Sequence, residues 1–287
     1  MQLSIIIPSK NEEKGLALVL PKLMARYPQA QIIVVSDGST DATGDVVAKY
    51  GVDVIVHPYS KGNGASIKTG LRHARGDVVV CMDGDGQHRP EDIALLLEKL
   101  NERPGFDMVV GARDNAGQAN VHRSFANGFY NKFASWMVGH KIHDLTSGFR
   151  AIRRDKFLEF ISLLPNKFSY PTTITMSFFR SGYSVAYVPI VVQKRVEGTH
   201  SHVRLFADGI RFLIIIFKIG TLFSPLKLFA PIALSLFVSG VGYYLYTYLS
   251  DGRFTNMGAL LFSTSVIVFL MGLISEQITA LLYKDKV

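Results

Sequence analysis

Residues 78–88 (VVVCMDGDGQH) determine how the rest of the chain is interpreted. The run is apolar as far as Met82, and it then gives two carboxylates, Asp83 and Asp85, in a glycine-rich turn. A short apolar run bounded by turn residues predicts a buried strand. At the end of that strand both side chains could reach one hard cation, because Mg²⁺ and Mn²⁺ bind carboxylates together with substrate phosphates. The alternative is an acidic turn that only connects the strand to a helix beginning near Pro90.

Short β-rich runs alternate with helical patterns from Leu3 to about Gly111. The predicted strands are Leu3–Ile7, Gln31–Ser36, Val52–His57, Val78–Met82 and Met108–Gly111, with helical patterns at Glu12–Arg26, Thr40–Tyr50, Ala65–Ala74 and Glu91–Asn101. This alternation predicts an α/β fold with a mostly parallel sheet that helices cover on both faces. Ligands of such sheets bind beyond the carboxyl ends of the strands, so the residues that follow each strand are the candidates.

Polar or glycine-rich segments follow four of these strands. Residues 8–13 (PSKNEE), in which Pro8 is expected to end the strand, and residues 37–41 (DGSTD) could each serve only to cap a helix. Residues 60–64 (SKGNG) supply a lysine and backbone N–H groups that suit phosphate. Together with the acidic turn, these segments predict a nucleotide-diphosphate site with a bound metal ion.

The order of these motifs resembles that of a known family. Pro8-x-x-Asn11-Glu12, Asp37-Gly38-Ser39-x-Asp41, Lys61-Gly62-x-Gly64 and Asp83-x-Asp85-x-Gln87-His88 resemble the family 2 glycosyltransferases of GT-A fold, most closely the dolichyl- and polyprenyl-phosphate sugar synthases. The resemblance runs from Leu3 to about Phe212. It implies a nucleotide site formed by Pro8, Asn11, Glu12, Asp37, Lys61, Gly62 and Asp83. It also implies that Asp83, Asp85 and Gln87 hold Mg²⁺ or Mn²⁺ against the donor diphosphate, with Asp85 as a catalytic residue.

Arginines follow the fifth strand, at Arg113 and at Arg123 beside a helical pattern over Ser124–Val138. Arginines near a diphosphate pocket suit a second anionic group, because guanidinium stays charged and binds phosphate through two nitrogens. The alternative is a solvated basic face. The resemblance implies that Arg113 and Arg123 are catalytic residues that contact an acceptor lipid phosphate, and that Ser147 and Arg150 line the acceptor side.

The only tryptophan, Trp136, shares a helical face with Phe129 and Phe133. A platform for a sugar ring and packing in the core would both explain this face. Packing in the core is the preferred interpretation.

Two segments depart from the family pattern. Residues 170–175 (YPTTIT) stand where relatives often carry an acidic residue, and the late Arg-x-x-Gly-x-Ser-Lys pattern appears at 195–202 (RVEGTHSH), one residue longer. The resemblance assigns Arg195 and Ser201 to the donor diphosphate. Recognition of the sugar stays open.

The carboxyl-terminal part of the chain has the composition of a membrane protein. Apolar residues recur at helical spacing from Leu205 with basic residues between them, which is typical of an interfacial amphipathic helix. Leu226–Leu249 and Gly258–Tyr283 are each long enough to cross a bilayer core of about 30 Å. We therefore expect a GT-A domain at 1–203, an amphipathic helix at 204–224 and a two-helix transmembrane hairpin at 225–287.

Basic residues flank both spans on the side of the catalytic domain, at Lys218, Lys227, Lys284 and Lys286. Because basic flanks stay inside, the catalytic domain and the carboxyl terminus are expected in the cytosol. The first residues have no basic start and too short an apolar run for a secretory signal. The expected location is the cytoplasmic (inner) membrane.

The predicted function is metal-dependent, inverting transfer of a single hexose from a nucleoside-diphosphate sugar, UDP preferred over GDP, to a polyprenyl phosphate in the bilayer. The resemblance also implies assembly into tetramers through the hairpin. A processive polysaccharide synthase is the nearest alternative, but the chain has no Gln-x-x-Arg-Trp segment. A non-catalytic membrane protein that binds nucleotide sugar or anionic lipid is another. Nucleic acid fits the net charge of +8 but is not an expected partner, because no recognised binding motif occurs.

Overall fold

The structure, a computed structural model, describes residues 1–113, 121–167, 169–193 and 205–284. Within the helices, the description excludes the side chains of residues 121–127, 205–209, 211–212, 223, 251 and 282–284. The chain divides into two units, Met1–Ile215 and Ile216–Val287.

The first unit is built on a sheet of seven strands. They are β1 (Leu3–Ser9), β2 (Gln31–Asp37), β3 (Asp53–His57), β4 (Val78–Cys81), β5 (Met108–Arg113), β6 (Arg150–Arg153) and β7 (Val185–Ile190). Their order in the sheet is β3-β2-β1-β4-β6-β5-β7. β6 is antiparallel to both of its neighbours, and every other pairing is parallel. The predicted α/β fold with a mostly parallel sheet is confirmed.

Helices follow most of the strands. They are α1 (Glu13–Arg26), α2 (Thr43–Lys49), α3 (Asn63–His73), α4 (Ile93–Asn101), α5 (Val121–Val138), α6 (Arg154–Glu159), α7 (Tyr170–Arg180), α8 (Leu205–Phe223), α9 (Pro225–Asp251) and α10 (Asn256–Lys284), with a 3₁₀ turn at Pro90–Asp92. The predicted strands and helices of the first unit agree with these bounds to within a few residues.

The central strands are apolar on both faces because helices cover both sides of the sheet. Successive side chains of a strand point to opposite faces. Ile5 and Ile6 of β1, and Val79 and Val80 of β4, are nevertheless all fully buried. Such continuous apolar runs are typical of parallel sheets in α/β proteins, and they give the polar turns at the strand ends a rigid base.

The prediction that Pro8 ends the first strand is wrong, because β1 continues to Ser9. β1 pairs with β4 only as far as Ile6, whose carbonyl oxygen accepts a hydrogen bond from Met82 N (3.1 Å). Every second residue of a strand faces the same neighbour, so Pro8 faces the position beyond the end of β4. The missing N–H of proline therefore costs no hydrogen bond of the sheet.

In the second unit, α9 and α10 form an antiparallel pair with close backbone contacts. A Cβ added to Gly272 would lie 2.7 Å from Cβ of Phe229, and Ser265 Oγ donates to Ala233 O (2.8 Å). Small residues at the contact are typical of helices packed in a membrane. Pro225–Ser250 and Asn256–Leu281 are long and apolar enough to span a bilayer. In the apolar stretch of 18 residues within each helix, only 17% is buried. Most of this apolar surface faces outward, unlike that of a core helix.

Glu276 near the end of α10 binds the start of α9. Its Oε2 accepts a hydrogen bond from Leu226 N (3.2 Å), one of the backbone N–H groups that the first turn of a helix leaves without a partner. An acidic residue within a membrane span can snorkel to the interface, pair with a neighbouring helix or have a functional role. The structure shows the pairing, which satisfies two polar groups at once.

Candidate functional site

The acidic turn after β4 lies at the carboxyl edge of the sheet. Asp85 is buried, and its Oδ1 accepts a hydrogen bond from Gln87 N (3.0 Å), which closes a tight turn through Gly86 (φ +77°). Asp83 is only half-buried. The two carboxylates thus share one short turn, as the sequence predicted.

The acidic turn packs against two glycines, at positions where a side chain would collide with it or press close to it. A Cβ on Gly15 of α1 would meet the carbonyl oxygen of Gly84 and lie 3.0 Å from Asp85 Cα. A Cβ on Gly148 would lie 3.2 and 3.4 Å from the two carboxylate oxygens of Asp83. Neither glycine was predicted as a site residue. The available signal was Gly15 in the interior of a helical pattern, where glycine costs about 1 kcal/mol relative to alanine.

Gln87 joins the acidic turn to a distant segment. Its Nε2 donates to Gln193 O (3.3 Å), and Gln193 N donates to Gln87 O (3.0 Å). Arg195 and Ser201, which the sequence assigned to the donor diphosphate, follow this segment and lie outside the described residues.

The oxygen atoms of the turn fit a hard divalent cation. Two carboxylates and one amide are the ligand types that Mg²⁺ and Mn²⁺ prefer, and Gly148 keeps one side of Asp83 clear. Within the described ranges, no group of three or more His, Cys, Asp and Glu side chains gathers. A cation at Asp83 and Asp85 would therefore complete its shell with water and substrate phosphate, as Mg²⁺ usually does.

Asp37, at the end of β2, holds the next loop through both of its carboxylate oxygens. Oδ1 accepts from Lys61 N and His57 Nδ1, and Oδ2 accepts from Gly62 N and Ser60 Oγ, each at 2.8 Å. Burial alone would raise the pKa of Asp37, but the hydrogen bonds from His57, Lys61, Ser60 and Gly62 outweigh it and hold the pKa below its ordinary value. Asp37 therefore fixes the loop that carries Ser60, Lys61 and Gly62.

Four backbone amides of the segment 61–65 already donate hydrogen bonds within the structure. The first two bind the Asp37 carboxylate. Gly64 N donates to Lys167 O (3.2 Å), and Ala65 N donates to Asn166 O (2.7 Å). Carbonyl groups of a distant segment thus accept hydrogen bonds from two amides at the start of α3, and phosphate binding by this loop stays a prediction.

We expect Asp37→Asn to lower the free energy of unfolding by about 1–3 kcal/mol, because a buried donor loses its acceptor. Each carboxylate oxygen accepts two hydrogen bonds, so either orientation of the amide turns its NH₂ toward two donors. Chemical denaturation measures the loss. Asp53→Asn is the control, since that exposed carboxylate accepts one bond from Gln31 Nε2 (2.8 Å).

The stability difference between wild type and Asp37→Asn should depend on pH. Because the folded-state pKa of Asp37 is lowered, its contribution is complete above the ordinary carboxyl pKa and is lost as the pH falls through the lowered value. The stability difference between wild type and Asp37→Asn should therefore narrow in acid. A difference that stays constant or widens as the pH falls would contradict this account.

Hydrogen bonds join the first two strand-end loops to each other. Asn11 adopts a left-handed backbone (φ +55°), and its Oδ1 accepts from Thr40 N (2.8 Å). Glu12 N donates to Thr43 Oγ1 (3.1 Å). Glu12 occupies the N-cap of α1, but its side chain makes no capping hydrogen bond. Capping, the simpler interpretation of these two residues, does not explain them.

Arg113 pairs with Asp144, a residue that the sequence analysis did not select. Nε donates to Asp144 Oδ2 (2.8 Å) and Nη2 to Oδ1 (3.0 Å), with a further bond from Nη2 to Thr146 Oγ1. Burial opposes both charges, but their pairing lowers the pKa of Asp144 and raises that of Arg113. The side chain of Arg113 remains 34% exposed. Its predicted partner Arg123 lies in α5, where the description excludes its side chain.

Ser147 and Arg150, predicted to line the acceptor side, are both buried. Ser147 Oγ donates to Gly111 O (2.6 Å). The fully buried guanidinium of Arg150 donates to Pro171 O (3.2 Å), Thr175 Oγ1 (3.1 Å) and Ser147 O. The structure therefore places both side chains beneath the surface, where they support the segment that carries Gly148.

Known proteins are similar to this chain in both sequence and fold. Residues 4–160 match the family model "Glycosyl transferase family 2", and residues 224–281 match "GtrB C-terminal hairpin". The polyprenol monophosphomannose synthase of Mycolicibacterium smegmatis is 33% identical over 209 residues, 68% of this chain and 78% of that protein. The undecaprenyl-phosphate mannosyltransferase of Micrococcus luteus is 31% identical over 215 residues, 69% of this chain and 86% of that protein.

A solved structure extends the likeness to three dimensions. Glucosyl-3-phosphoglycerate synthase from Mycobacterium tuberculosis, in complex with Mn²⁺, uridine-diphosphate and phosphoglyceric acid, has a TM-score of 0.62 at 18% identity. The match covers 76% of this chain and 78% of that chain. At this identity the likeness shows a shared GT-A-like fold.

Proposed function

Because the chain belongs to glycosyl transferase family 2, we propose that it transfers a single hexose from a nucleoside-diphosphate sugar to a membrane polyprenyl phosphate. The observation that carries this proposal is the acidic turn of Asp83 and Asp85, set between Gly15 and Gly148 at the carboxyl edge of the sheet. The polyprenyl acceptor is supported by the names of the two relatives and by the match to the GtrB hairpin.

On the donor side, Asp83, Asp85 and Gln87 would hold Mg²⁺ or Mn²⁺. When bound, the cation supplies a Lewis acid that neutralises the charge of the leaving diphosphate. Pro8, Asn11 and Glu12 line the nucleotide pocket in this proposal, and Asp37 shapes it by fixing the loop that carries Lys61 and Gly62. Arg195 and Ser201 stay assigned to the donor diphosphate.

On the acceptor side, the lipid phosphate is itself the nucleophile. A phosphate monoester has a second pKa of about 6, so it is largely a dianion near neutral pH and needs little help from a general base. Its oxygen attacks the anomeric carbon as the bond to the diphosphate breaks, which inverts that carbon. Positioning is then the main task of the protein. Arg113 would present Nη1 to the phosphate, since Asp144 and Thr146 engage its other donors, and Arg123 would bind from α5.

Each part of the chain has a role in the proposed reaction. Residues 1–203 form the cytosolic catalytic domain, 204–224 an interfacial helix, and 225–287 a hairpin in the cytoplasmic (inner) membrane that brings the site to the lipid headgroup. The hairpin is also the proposed contact for tetramers. UDP-sugars are the preferred donors.

Product mass tests the proposed reaction. The full-length protein in vesicles is given a short polyprenyl phosphate, Mg²⁺ and a panel of UDP- and GDP-hexoses. We expect one hexose per lipid with one donor, and release of nucleoside diphosphate only when the lipid is present. Omission of the lipid is the control.

Three results would contradict the proposal. Addition of several hexoses to each lipid would indicate a processive enzyme, and nucleotide release without lipid would indicate hydrolysis. Tight binding of nucleotide sugar without any product would indicate a non-catalytic binding protein.

A further inference from the structure

One face of α5 carries large aromatic side chains that are exposed rather than packed in the core. Phe129 and Trp136 are 54% and 48% exposed, although the sequence favoured a core position for this face. Phe133 lies between them, with ring centroids 6.3 Å from Phe129 and 5.9 Å from Trp136. We call Phe129, Lys132, Phe133 and Trp136 the aromatic face of α5.

The folding of the first unit does not explain this face. The opposite side of α5 already packs inward through Ala134, Met137 and Val138, which are all buried. The exposed rings of Phe129 and Trp136 therefore add little to the packing of the unit, and Phe133 between them is only half-buried. Contiguous exposed aromatic surface of this kind marks an interaction site.

The local sequence around the face carries only positive charges. From residue 115 to residue 143 the sequence has no Asp or Glu, whereas it contains Arg123, Lys132 and Lys141. Lys132 and Lys141 are exposed, and Lys132 lies one helical turn from both Phe129 and Trp136. Tryptophan and lysine on one helical face are typical of surfaces that sit among the headgroups of anionic lipids.

We propose that the aromatic face of α5 binds the anionic surface of the bilayer. The rings of Phe129, Phe133 and Trp136 enter the headgroup region, and Lys132 contacts lipid phosphates. A bilayer is favoured over a second protein because the chain carries two helices able to span it, which hold the first unit at high local concentration near lipid. This inference does not rest on the proposed reaction.

Trp136 provides the test, because it is the only tryptophan of the chain. The full-length protein is placed in vesicles of phosphatidylcholine and phosphatidylglycerol, with either normal or brominated acyl chains. We expect a blue-shifted emission that brominated lipid quenches and that aqueous acrylamide quenches poorly. In neutral phosphatidylcholine vesicles the quenching by brominated lipid should be weaker.

A charge reversal isolates the contribution of the basic residue. Lys132→Glu keeps the fluorophore and should reduce quenching by brominated lipid in anionic vesicles. Lys22→Glu, an exposed lysine on α1, is the matched control and should behave as wild type. Far-UV circular dichroism confirms that both variants are folded.

Two outcomes would overturn the proposal. Trp136 that acrylamide quenches and brominated lipid does not would show that the face remains in water. Shielding from both quenchers that weakens as the protein is diluted in lipid would show that a second copy of the chain covers the face.

Discussion

Asp85→Asn should lower hexose transfer by about two to three orders of magnitude, the usual loss when a preorganised electrostatic contact is removed from an active site. The substitution removes one of the two carboxylates that would bind the divalent cation. It also preserves the turn, because the amide oxygen can still accept the hydrogen bond from Gln87 N. Initial rates at saturating Mg²⁺ measure the loss, and thermal unfolding should be nearly unchanged.

Asp45→Asn is the matched control for this prediction. Asp45 is an exposed carboxylate on α2, so its replacement makes the same change of charge away from the turn. Transfer that persists in Asp85→Asn, or that is unaffected when divalent cations are removed by a chelator, would exclude the metal site proposed at this turn.

Gly15→Ala should lower the free energy of unfolding by about 1–3 kcal/mol, the usual cost of overpacking, and should slow transfer as well. The new Cβ would meet the carbonyl oxygen of Gly84 and lie 3.0 Å from Asp85 Cα, so either α1 or the acidic turn must move. Without that contact, replacement of a glycine by alanine at a compatible backbone position would stabilise by about 0.4–1 kcal/mol. Denaturant titration and initial rates measure the two effects.

Gly44→Ala gives the reference for Gly15→Ala. A Cβ on Gly44, in α2, would have no atom within 4 Å, so this variant should be neutral or more stable by about 0.4–1 kcal/mol. If the two variants respond alike, the contact between α1 and the acidic turn does not constrain the site.

The local sequence pattern was sufficient to predict the first five strands but not the last two. β1 to β5 each give a run of apolar or β-branched residues with a turn behind it, which is a local signal. β6 has only four residues and begins and ends with arginine. It also inserts between β4 and β5, out of chain order, and no local pattern encodes such a placement.

The types of the site residues were predictable, whereas their partners were not. The spacing of Asp83 and Asp85 indicates a shared turn because both lie in a few residues of chain. The partner of Arg113 is 31 residues away, and that distance cannot be inferred from the sequence of either segment. Arg150 shows the same limit, since the resemblance implied a place on the acceptor side while its burial depends on α7.

The two faces of α5 illustrate a limit of helical periodicity. The spacing of Phe129, Phe133 and Trp136 correctly indicates that they share one face. A second apolar face formed by Ala134, Met137 and Val138 has the same period, and these smaller residues are the buried ones. Periodicity identifies such faces without saying which of them the fold covers.

The hydrogen bonds from Gly64 N to Lys167 O and from Ala65 N to Asn166 O affect which truncated fragments keep the start of α3 intact. The acidic turn and the three preceding strand-end motifs lie within the first 88 residues, and the family match ends at residue 160. A fragment that stops there would still contain the four strand-end motifs, but the amides of Gly64 and Ala65 at the start of α3 would lose their acceptors. During synthesis on the ribosome, these two amides likewise gain their acceptors only after Lys167 has emerged, by which time β6 is already available to the sheet.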